Sequence, residues 1–294
     1  MKRYSTLGGF LLVAAVCLVA GCASKPSATT QAKLLIGGQS INALIPARER
    51  NRIDRAFQPA YVGNILIAQA LGTVIQQRQH LAVRASNVYM SQPKARRSAV
   101  SGWLVTRKNG ALQVLFINER GKTLRIVAVA KSAGNSTPHL DTLNPPRALT
   151  SKETALWRAR ALAFTAKIKP CSDNYQPVVI PVDAAGKRQI FVFLLPLAPA
   201  NKMMLGGYYL IKIDAAGTRI LDTHSYTRSC LEMHRNPKAV GVAVTENKSP
   251  TPTATQVYAN LRYGLPVYVT TAGNHRQWKI KQGQISSLKK SAPQ

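Results

Sequence analysis

Short apolar stretches that alternate with tight-turn sequences fill much of the chain from residue 102 onward. Asn109-Gly110 is typical of a two-residue hairpin turn, and alternating apolar residues flank it at 103–105 and 112–116. A second turn at 119–121 leads to another alternating stretch at 124–128. This pattern predicts a three-stranded antiparallel meander that buries one face.

The same alternation continues beyond residue 171 and predicts a further antiparallel sheet. Two copies of the tetrapeptide Asp-Ala-Ala-Gly, at 183–186 and 214–217, are expected to form hairpin turns. An aspartate side chain satisfies the backbone of such a turn, and glycine adopts the positive φ angle that it needs. The predicted strands are 178–182, 189–195, 208–213, 219–226, 239–245, 256–259, 267–271 and 278–280.

Helical patterns are confined to two parts of the chain. The segment 47–90 is predicted to be helical because apolar residues recur at helical spacing on one face, and Pro59 is expected to start or kink it. A second helix, over 150–168, begins at a capping box formed by Thr150 and Glu153. The apolar residues of the first helix are Ile67, Leu71, Val74 and Ile75.

These patterns together predict an α+β fold: a mainly antiparallel sheet with two or three helices and one disulfide. The segment 131–149 contains three prolines and is expected to be irregular, so it is the predicted boundary between two parts of the body. The first part, 47–130, holds the helix and the meander. The second, 150–288, holds the capped helix and the other sheet, and a basic tail follows at 289–294.

The N-terminus has the three parts of a secretory signal. Lys2 and Arg3 precede an apolar stretch at 7–19, and small residues follow at Ala20-Gly21. The stretch has about 13 residues, whereas a membrane-spanning helix needs about 20. Residues 1–21 are therefore predicted to be a signal peptide that is removed after export.

The run Leu18-Val19-Ala20-Gly21-Cys22 resembles the lipobox of bacterial lipoproteins. The resemblance implies cleavage before Cys22 and attachment of lipid to that cysteine. Because Ala23 stands where an aspartate favours retention in the inner membrane, it also implies an anchor in the outer membrane and a body in the periplasm. Residues 22–46 are assigned to the lipidated cysteine and a tether. Farther along, the segment 170–231 resembles uncharacterised proteobacterial proteins, which implies no function.

Two of the four cysteines are left for a disulfide. Cys17 departs with the signal peptide and Cys22 receives the lipid, so Cys171 and Cys230 remain. In an oxidising compartment they most simply pair with each other. The bond would close a loop of roughly 60 residues and stabilise the fold by about 4 kcal/mol. The alternative is two free thiols or intermolecular links.

The chain is strongly basic, with 40 Lys and Arg against 11 Asp and Glu. Such an excess attracts anions. Nucleic acid is not an expected partner, because the anchor places the body outside the cytoplasm. The candidate partners are the membrane itself, through the lipid anchor, and anionic envelope polymers, lipids or an acidic protein. Alternatively, the basic residues are scattered and serve only solvation.

Motifs of known catalytic or metal sites are not recognisable in the sequence, and no cofactor is predicted. Four residues are candidates for ligand contact. Tyr208 and Tyr209 follow two glycines and are candidates for stacking on a sugar, although a strand with a bulge explains them as well. His224 and His234 flank Cys230 and are candidates for a metal or acid–base pair, although ordinary surface histidines are the simpler explanation.

Three functional hypotheses follow from these observations. The first is a non-enzymatic scaffold or binding module of the envelope that contacts an anionic partner through its basic surface. The second is a hydrolase of peptidoglycan or of an exported polymer. The third is an inhibitor or immunity-type lipoprotein that binds an acidic protein. The lack of a recognisable catalytic motif favours the first.

Overall fold

The computed structural model describes residues 34–94, 99–132, 134 and 136–288. The predictions for the signal peptide, for lipidation at Cys22 and for the basic tail at 289–294 lie outside the described residues. The described residues form five helices and sixteen strands. The helices are α1 (Ile41–Leu44), α2 (Ala47–Ala56), α3 (Pro59–Ser91), α4 (Ser151–Ala163) and α5 (Ala254–Tyr263).

The strands form four sheets, all antiparallel except for one parallel pair. The strands are β1 (Leu34–Ile36), β2 (Gln39–Ser40), β3 (Gly102–Lys108), β4 (Ala111–Arg120), β5 (Thr123–Lys131), β6 (His139–Ala148), β7 (Tyr175–Ala184), β8 (Lys187–Pro196), β9 (Lys202–Met204), β10 (Tyr209–Asp214), β11 (Ile220–Ser225), β12 (Glu232–His234), β13 (Val242–Glu246), β14 (Val267–Thr271), β15 (Arg276–Lys281) and β16 (Gln284–Ser287).

The largest sheet has six strands in the order β11-β10-β8-β7-β1-β2. Two four-stranded sheets follow the orders β3-β4-β5-β6 and β13-β14-β15-β16, and β9 pairs with β12. Only β13 and β14 are parallel among the described strands. A disulfide joins Cys171 to Cys230. The predicted α+β fold with a mainly antiparallel sheet and one disulfide is confirmed, with five helices where two or three were expected.

The six-stranded sheet separates two hydrophobic cores. Residues such as Ile180 and Phe193 face a core shared with α2, α3, α5 and β14–β16. The alternate residues Val192 and Ile211 face a second core, which α4 and the four-stranded sheet of β3–β6 cover from the other side. Because successive side chains of a strand point to opposite faces, alternate apolar residues of the same strand pack into the two cores.

The 33-residue helix α3 links the first core to the meander. The first half of α3 lies in the first core against α5. Its second half packs on the sheet of β3–β6, where Tyr89 stacks on Phe116 at 4.6 Å between ring centroids. As predicted, Pro59 starts this helix, at its first turn. Within the described part of the chain, no helix is long and apolar enough to cross a membrane.

Residues 131–149 were predicted to be irregular, and this prediction was wrong. His139–Ala148 pair with β5 as β6, so the meander has four strands. Strand β6 is an edge strand of its sheet. Pro145 and Pro146 lie where the pairing with β5 is interrupted, between Ile126↔Arg147 and Ala128↔Thr142, so neither proline has to donate an N–H to the ladder.

Residues 256–259 were predicted to be a strand but lie in α5. Thr253 and Gln256 form a capping box at the start of this helix, and Gly264 ends it with a φ angle of 71°. The spacing of this capping box is present in the sequence, but the short apolar run at 256–259 led to the prediction of a strand. Helix α5 connects the parallel strands β13 and β14, as a parallel pair requires.

The segment 22–46 was assigned to the lipidated cysteine and tether, but its last part belongs to the fold. Leu34–Ile36 pair with β7 on one side and with β2 on the other. Leu34 and Ile36 are buried in the first core. Gly37 and Gly38 form the turn between β1 and β2. Both strands belong to the six-stranded sheet.

Candidate functional site

A cleft of about 900 Å³ opens beside the six-stranded sheet. Its walls are β1, β7 and β8 of that sheet, the second half of β3, and the start of α4. This volume lies within the range of small-molecule sites. The charged residues that line the cleft are Arg78, Arg107, Lys108, Arg147, Lys152, Glu153, Asp183 and Arg188.

Arg78 lies at the buried end of the cleft, with only 2% of its surface exposed. Its Nη1 donates to the carbonyl oxygens of Val105, on β3, and Val179, on β7, the second at 3.1 Å. The guanidinium of α3 thus joins two sheets through their backbone oxygens. Its Nε is buried and has no hydrogen-bond partner among the described residues.

Arg107 brings a second positive charge to the same end. Its Nη2 donates to Oε1 of Gln39 at 2.6 Å and its Nη1 to the carbonyl of Gly110, while its Nε is buried without a described partner. Burial, followed by the charge of Arg107, lowers the pKa of Arg78 to about 10. Burial also lowers the pKa of Arg107. With a pKa of about 10, the guanidinium of Arg78 stays charged at neutral pH.

The two carboxylates of the cleft are bound to other side chains. Glu153 accepts from Nη2 of Arg147 at 2.7 Å, and Asp183 accepts from Nε of Arg188 at 3.2 Å. Within the described ranges, no ion pair connects a carboxylate to Arg78 or Arg107. Positive charge therefore exceeds negative charge in the cleft. Burying a charge without a counter-charge is costly, and a bound anion would offset that cost.

The turn between β1 and β2 approaches Arg78 closely. Gly37 has a φ angle of +61° and Gly38 one of +84°, a region that side chains with a Cβ rarely adopt. A Cβ on Gly37 would lie 3.0 Å from Nη2 of Arg78. Both the backbone conformation and the nearby guanidinium therefore favour glycine at 37.

One wall of the cleft is apolar. Ile190 and Pro181 are paired neighbours on β8 and β7, and Leu156 lies across from them on α4. Leu35 pairs with Asp183, and 38% of its surface is exposed. Since its neighbours Leu34 and Ile36 are buried on the opposite face, Leu35 extends the apolar wall toward the surface.

The two predicted tyrosines lie in the cores and not in the cleft. Tyr208 packs edge-on against Tyr258 in the first core, and its hydroxyl donates to the carbonyl of Met204. Tyr209 lies in the second core, where its hydroxyl donates to the carbonyl of Lys169. Both hydroxyls thus satisfy backbone oxygens. Ligand contact by these tyrosines stays a prediction, with no contact to the candidate site.

The glycines before these tyrosines make room for the disulfide segment. The predicted pairing of Cys171 with Cys230 is confirmed, with the two Cα atoms 5.3 Å apart. A Cβ on Gly207 would lie 2.5 Å from Cβ of Cys171, and one on Gly206 would lie 2.7 Å from the backbone nitrogen of Leu231. The close neighbour of this glycine pair is therefore the chain itself.

The two predicted histidines lie on different sheets. His224 is half-buried on β11, and its ring centroid is 4.8 Å from that of Tyr226. Burial and then the charges of Lys248 and Lys212 lower the pKa of His224. His234 is exposed on β12. In the part of the chain that the structure describes, no group of three or more His, Cys, Asp or Glu could hold a metal ion.

Neither Arg78 nor Arg107, the two arginines at the buried end of the cleft, was predicted from the sequence, although Arg78 carries a signal there. Arg78 follows Leu71, Val74 and Ile75 at seven, four and three residues, so it lies on the apolar face of its own helix. A charged residue on a buried face needs a special environment. Arg107 stands beside the Asn109-Gly110 turn and has no comparable signal.

Comparison of the chain with protein-family models, with curated proteins and with solved structures finds no match. The geometry of the cleft therefore carries the functional inference by itself.

Proposed function

We propose that this chain is an envelope lipoprotein, anchored in the outer membrane through Cys22, whose body is a non-enzymatic binding module for an anionic ligand. The observation that carries the binding function is the cleft in which Arg78 and Arg107 lie close together without an acidic partner among the described residues.

An oxyanion fits the chemistry of these two side chains. A guanidinium presents several N–H donors in a plane and binds carboxylate or phosphate through paired, charge-assisted hydrogen bonds. A bound anion would also reduce the repulsion between the two arginines. These interactions are strong inside a partly buried cleft, where water screens charge less than it does at the surface.

The state of the cleft carboxylates favours binding over hydrolysis. A pair of hydrolytic carboxylates needs one member with a raised pKa to act as the acid. Burial would raise the pKa of Glu153, but the hydrogen bonds from Arg147 and Thr150 outweigh it and lower that pKa below its ordinary value. Asp183 is held by the backbone N–H of Gly186 and by Arg188.

The anchor is tested by replacing its cysteine. In cells, Cys22→Ser should block lipid attachment and leave the full-length precursor uncut, because the lipoprotein signal peptidase acts on the lipidated cysteine. Metabolic labelling with a fatty acid and the shift in gel mobility measure both effects. A Cys17→Ser variant is the matched control and should be processed normally. Labelled, correctly cut Cys22→Ser protein would contradict the anchor.

The anion site is tested by titrating the mature lipoprotein, in a non-ionic detergent, with inorganic phosphate at constant ionic strength. Calorimetry should show binding that Arg107→Gln weakens at least about tenfold, since hydrogen bonds to charged groups contribute about 1.5–3 kcal/mol. The matched control is Arg262→Gln. Arg262 is also half-buried and donates to an uncharged oxygen, that of Tyr258 at 3.0 Å, and it does not line the cleft.

The Arg262→Gln control distinguishes binding of phosphate in the cleft from attraction of phosphate by the net charge of the protein. If both variants lose the same small amount of affinity, phosphate responds to the net charge of the body and the cleft is not its site. A selective loss in Arg107→Gln supports the proposal.

A further inference from the structure

We infer that the ligand of this cleft is an amphipathic anion, with an oxyanion head at Arg78 and Arg107 and an aliphatic chain along the apolar wall. This inference rests on the proposed function and specifies the class of its ligand. It concerns the ligand's chemistry, a carboxylate or phosphate joined to a hydrocarbon chain.

The two ends of the cleft differ in character. Arg78 lies at the buried end, where its guanidinium joins β3 to β7. Leu35 lies toward the surface, with 38% of its area exposed. A ligand with its charge at one end would enter head first, and its body would then lie between Arg78 and the mouth.

The size of the cleft calls for more than a small ion. Its volume is about 900 Å³, whereas one water molecule takes up about 30 Å³ in the liquid. A lone oxyanion at the arginines would leave most of this space to solvent. The remaining room is enough for an organic chain.

The apolar wall selects the kind of chain. Leu156 of α4 and Pro181 of β7 are partly exposed where they line the cleft, and Leu35, with 38% of its surface exposed, lines it as well. A polar polymer would leave these side chains without a matching surface, whereas a hydrocarbon chain removes them from water. The wall and the charge together thus favour an amphipathic anion over a sugar polymer.

A homologous series of carboxylates separates head from tail. Acetate, butanoate, hexanoate and octanoate carry the same head, so the dependence of affinity on chain length measures the contribution of the wall. Each methylene that becomes buried should raise affinity about fourfold, the fold-change that corresponds to ~0.8 kcal/mol. Each titration uses the mature lipoprotein in non-ionic detergent and is corrected by the same titration of detergent alone.

Two leucines of nearly equal exposure provide the variant and its control. Leu35 lines the cleft and is 38% exposed, whereas Leu221 on β11 is 40% exposed and does not line it. Leu35→Asn should reduce the gain in affinity per methylene, whereas Leu221→Asn should leave that gain unchanged. Far-UV circular dichroism checks that each variant is folded.

Octyl phosphate and octan-1-ol test the head. If octyl phosphate binds at least as tightly as octanoate, the inference is supported and the head of the ligand is assigned as a phosphate. If octyl phosphate binds more weakly than octanoate, the inference is supported and the head is assigned as a carboxylate. Octan-1-ol should bind at least tenfold more weakly than octanoate, and equal affinity would overturn the assignment of the head to the arginines.

The outcomes distinguish this inference from the proposed function. If phosphate binds at Arg107 but affinity does not rise with chain length, the amphipathic ligand is wrong and the anion-binding module stands. If neither phosphate nor octanoate binds, both are overturned.

Discussion

Trp278→Ala should lower the free energy of unfolding by about 3–5 kcal/mol, the range for removing a buried large aromatic side chain. Trp278 is fully buried on β15. Its ring lies 5.7 Å from that of Phe57 and 6.0 Å from that of Tyr61, which lies in the first turn of α3. Its Nε1 also donates to Oγ1 of Thr271 at 3.1 Å. The alanine variant therefore leaves a cavity where β15 meets the first core.

Trp278→Phe is the matched control for this prediction. It keeps an aromatic ring in the core and removes the hydrogen bond to Thr271, so it should cost less, about 1–2 kcal/mol. Urea denaturation followed by far-UV circular dichroism measures both variants without relying on tryptophan emission. A loss below about 1 kcal/mol in Trp278→Ala would contradict this packing.

Removing the disulfide should destabilise the protein by about 4 kcal/mol. The bond between Cys171 and Cys230 spans 59 residues, and cross-linking a loop of that length restricts the unfolded chain. The double variant Cys171→Ala with Cys230→Ala removes the link without leaving a free thiol. Its urea midpoint should fall well below that of the wild type.

Reduction of the wild type provides the control for the disulfide. Once mass spectrometry confirms that both thiols are free, its midpoint should fall to about that of the double variant. If the midpoint does not change on full reduction, the bond contributes nothing to stability and the prediction fails.

Elements that depend on local chemistry could be predicted from the sequence. The hairpin between β3 and β4 is an example, because Asn109 and Gly110 adopt φ angles of 50° and 78°, which these residues tolerate best. The capping box of α4 likewise forms as its spacing indicates, with Thr150 and Glu153 exchanging hydrogen bonds. In both, a few adjacent residues determine the conformation.

Elements that depend on tertiary pairing were missed. A short apolar run at 256–259 does not distinguish strand from helix, and its helical state is supported by packing on α3. The two helices approach each other closely at Gly72, where an added Cβ would lie 2.6 Å from that of Val257. The prolines of β6 are tolerated because they lie in an interruption of the pairing with β5, on an edge strand, which the sequence does not reveal.

The cleft could not be predicted, because it joins distant segments. Arg78 comes from α3, its carbonyl partners come from β3 and β7, and the glycine beside it comes from the turn after β1. None of these segments carries a motif for anion binding. The position of Arg78 on the apolar face of its helix is the one feature of the sequence that points to the cleft. It indicates a buried charge but does not identify the ligand.

The affinity of inorganic phosphate for Arg107→Gln, measured against that for Arg262→Gln at one ionic strength, tests the anion-binding cleft most directly. Both substitutions remove one positive charge from a half-buried arginine, so the effect of net charge cancels in the comparison. An anion bound between Arg78 and Arg107 predicts at least about tenfold weaker binding to Arg107→Gln. Equal affinity of the two variants for phosphate would contradict the cleft as the binding site.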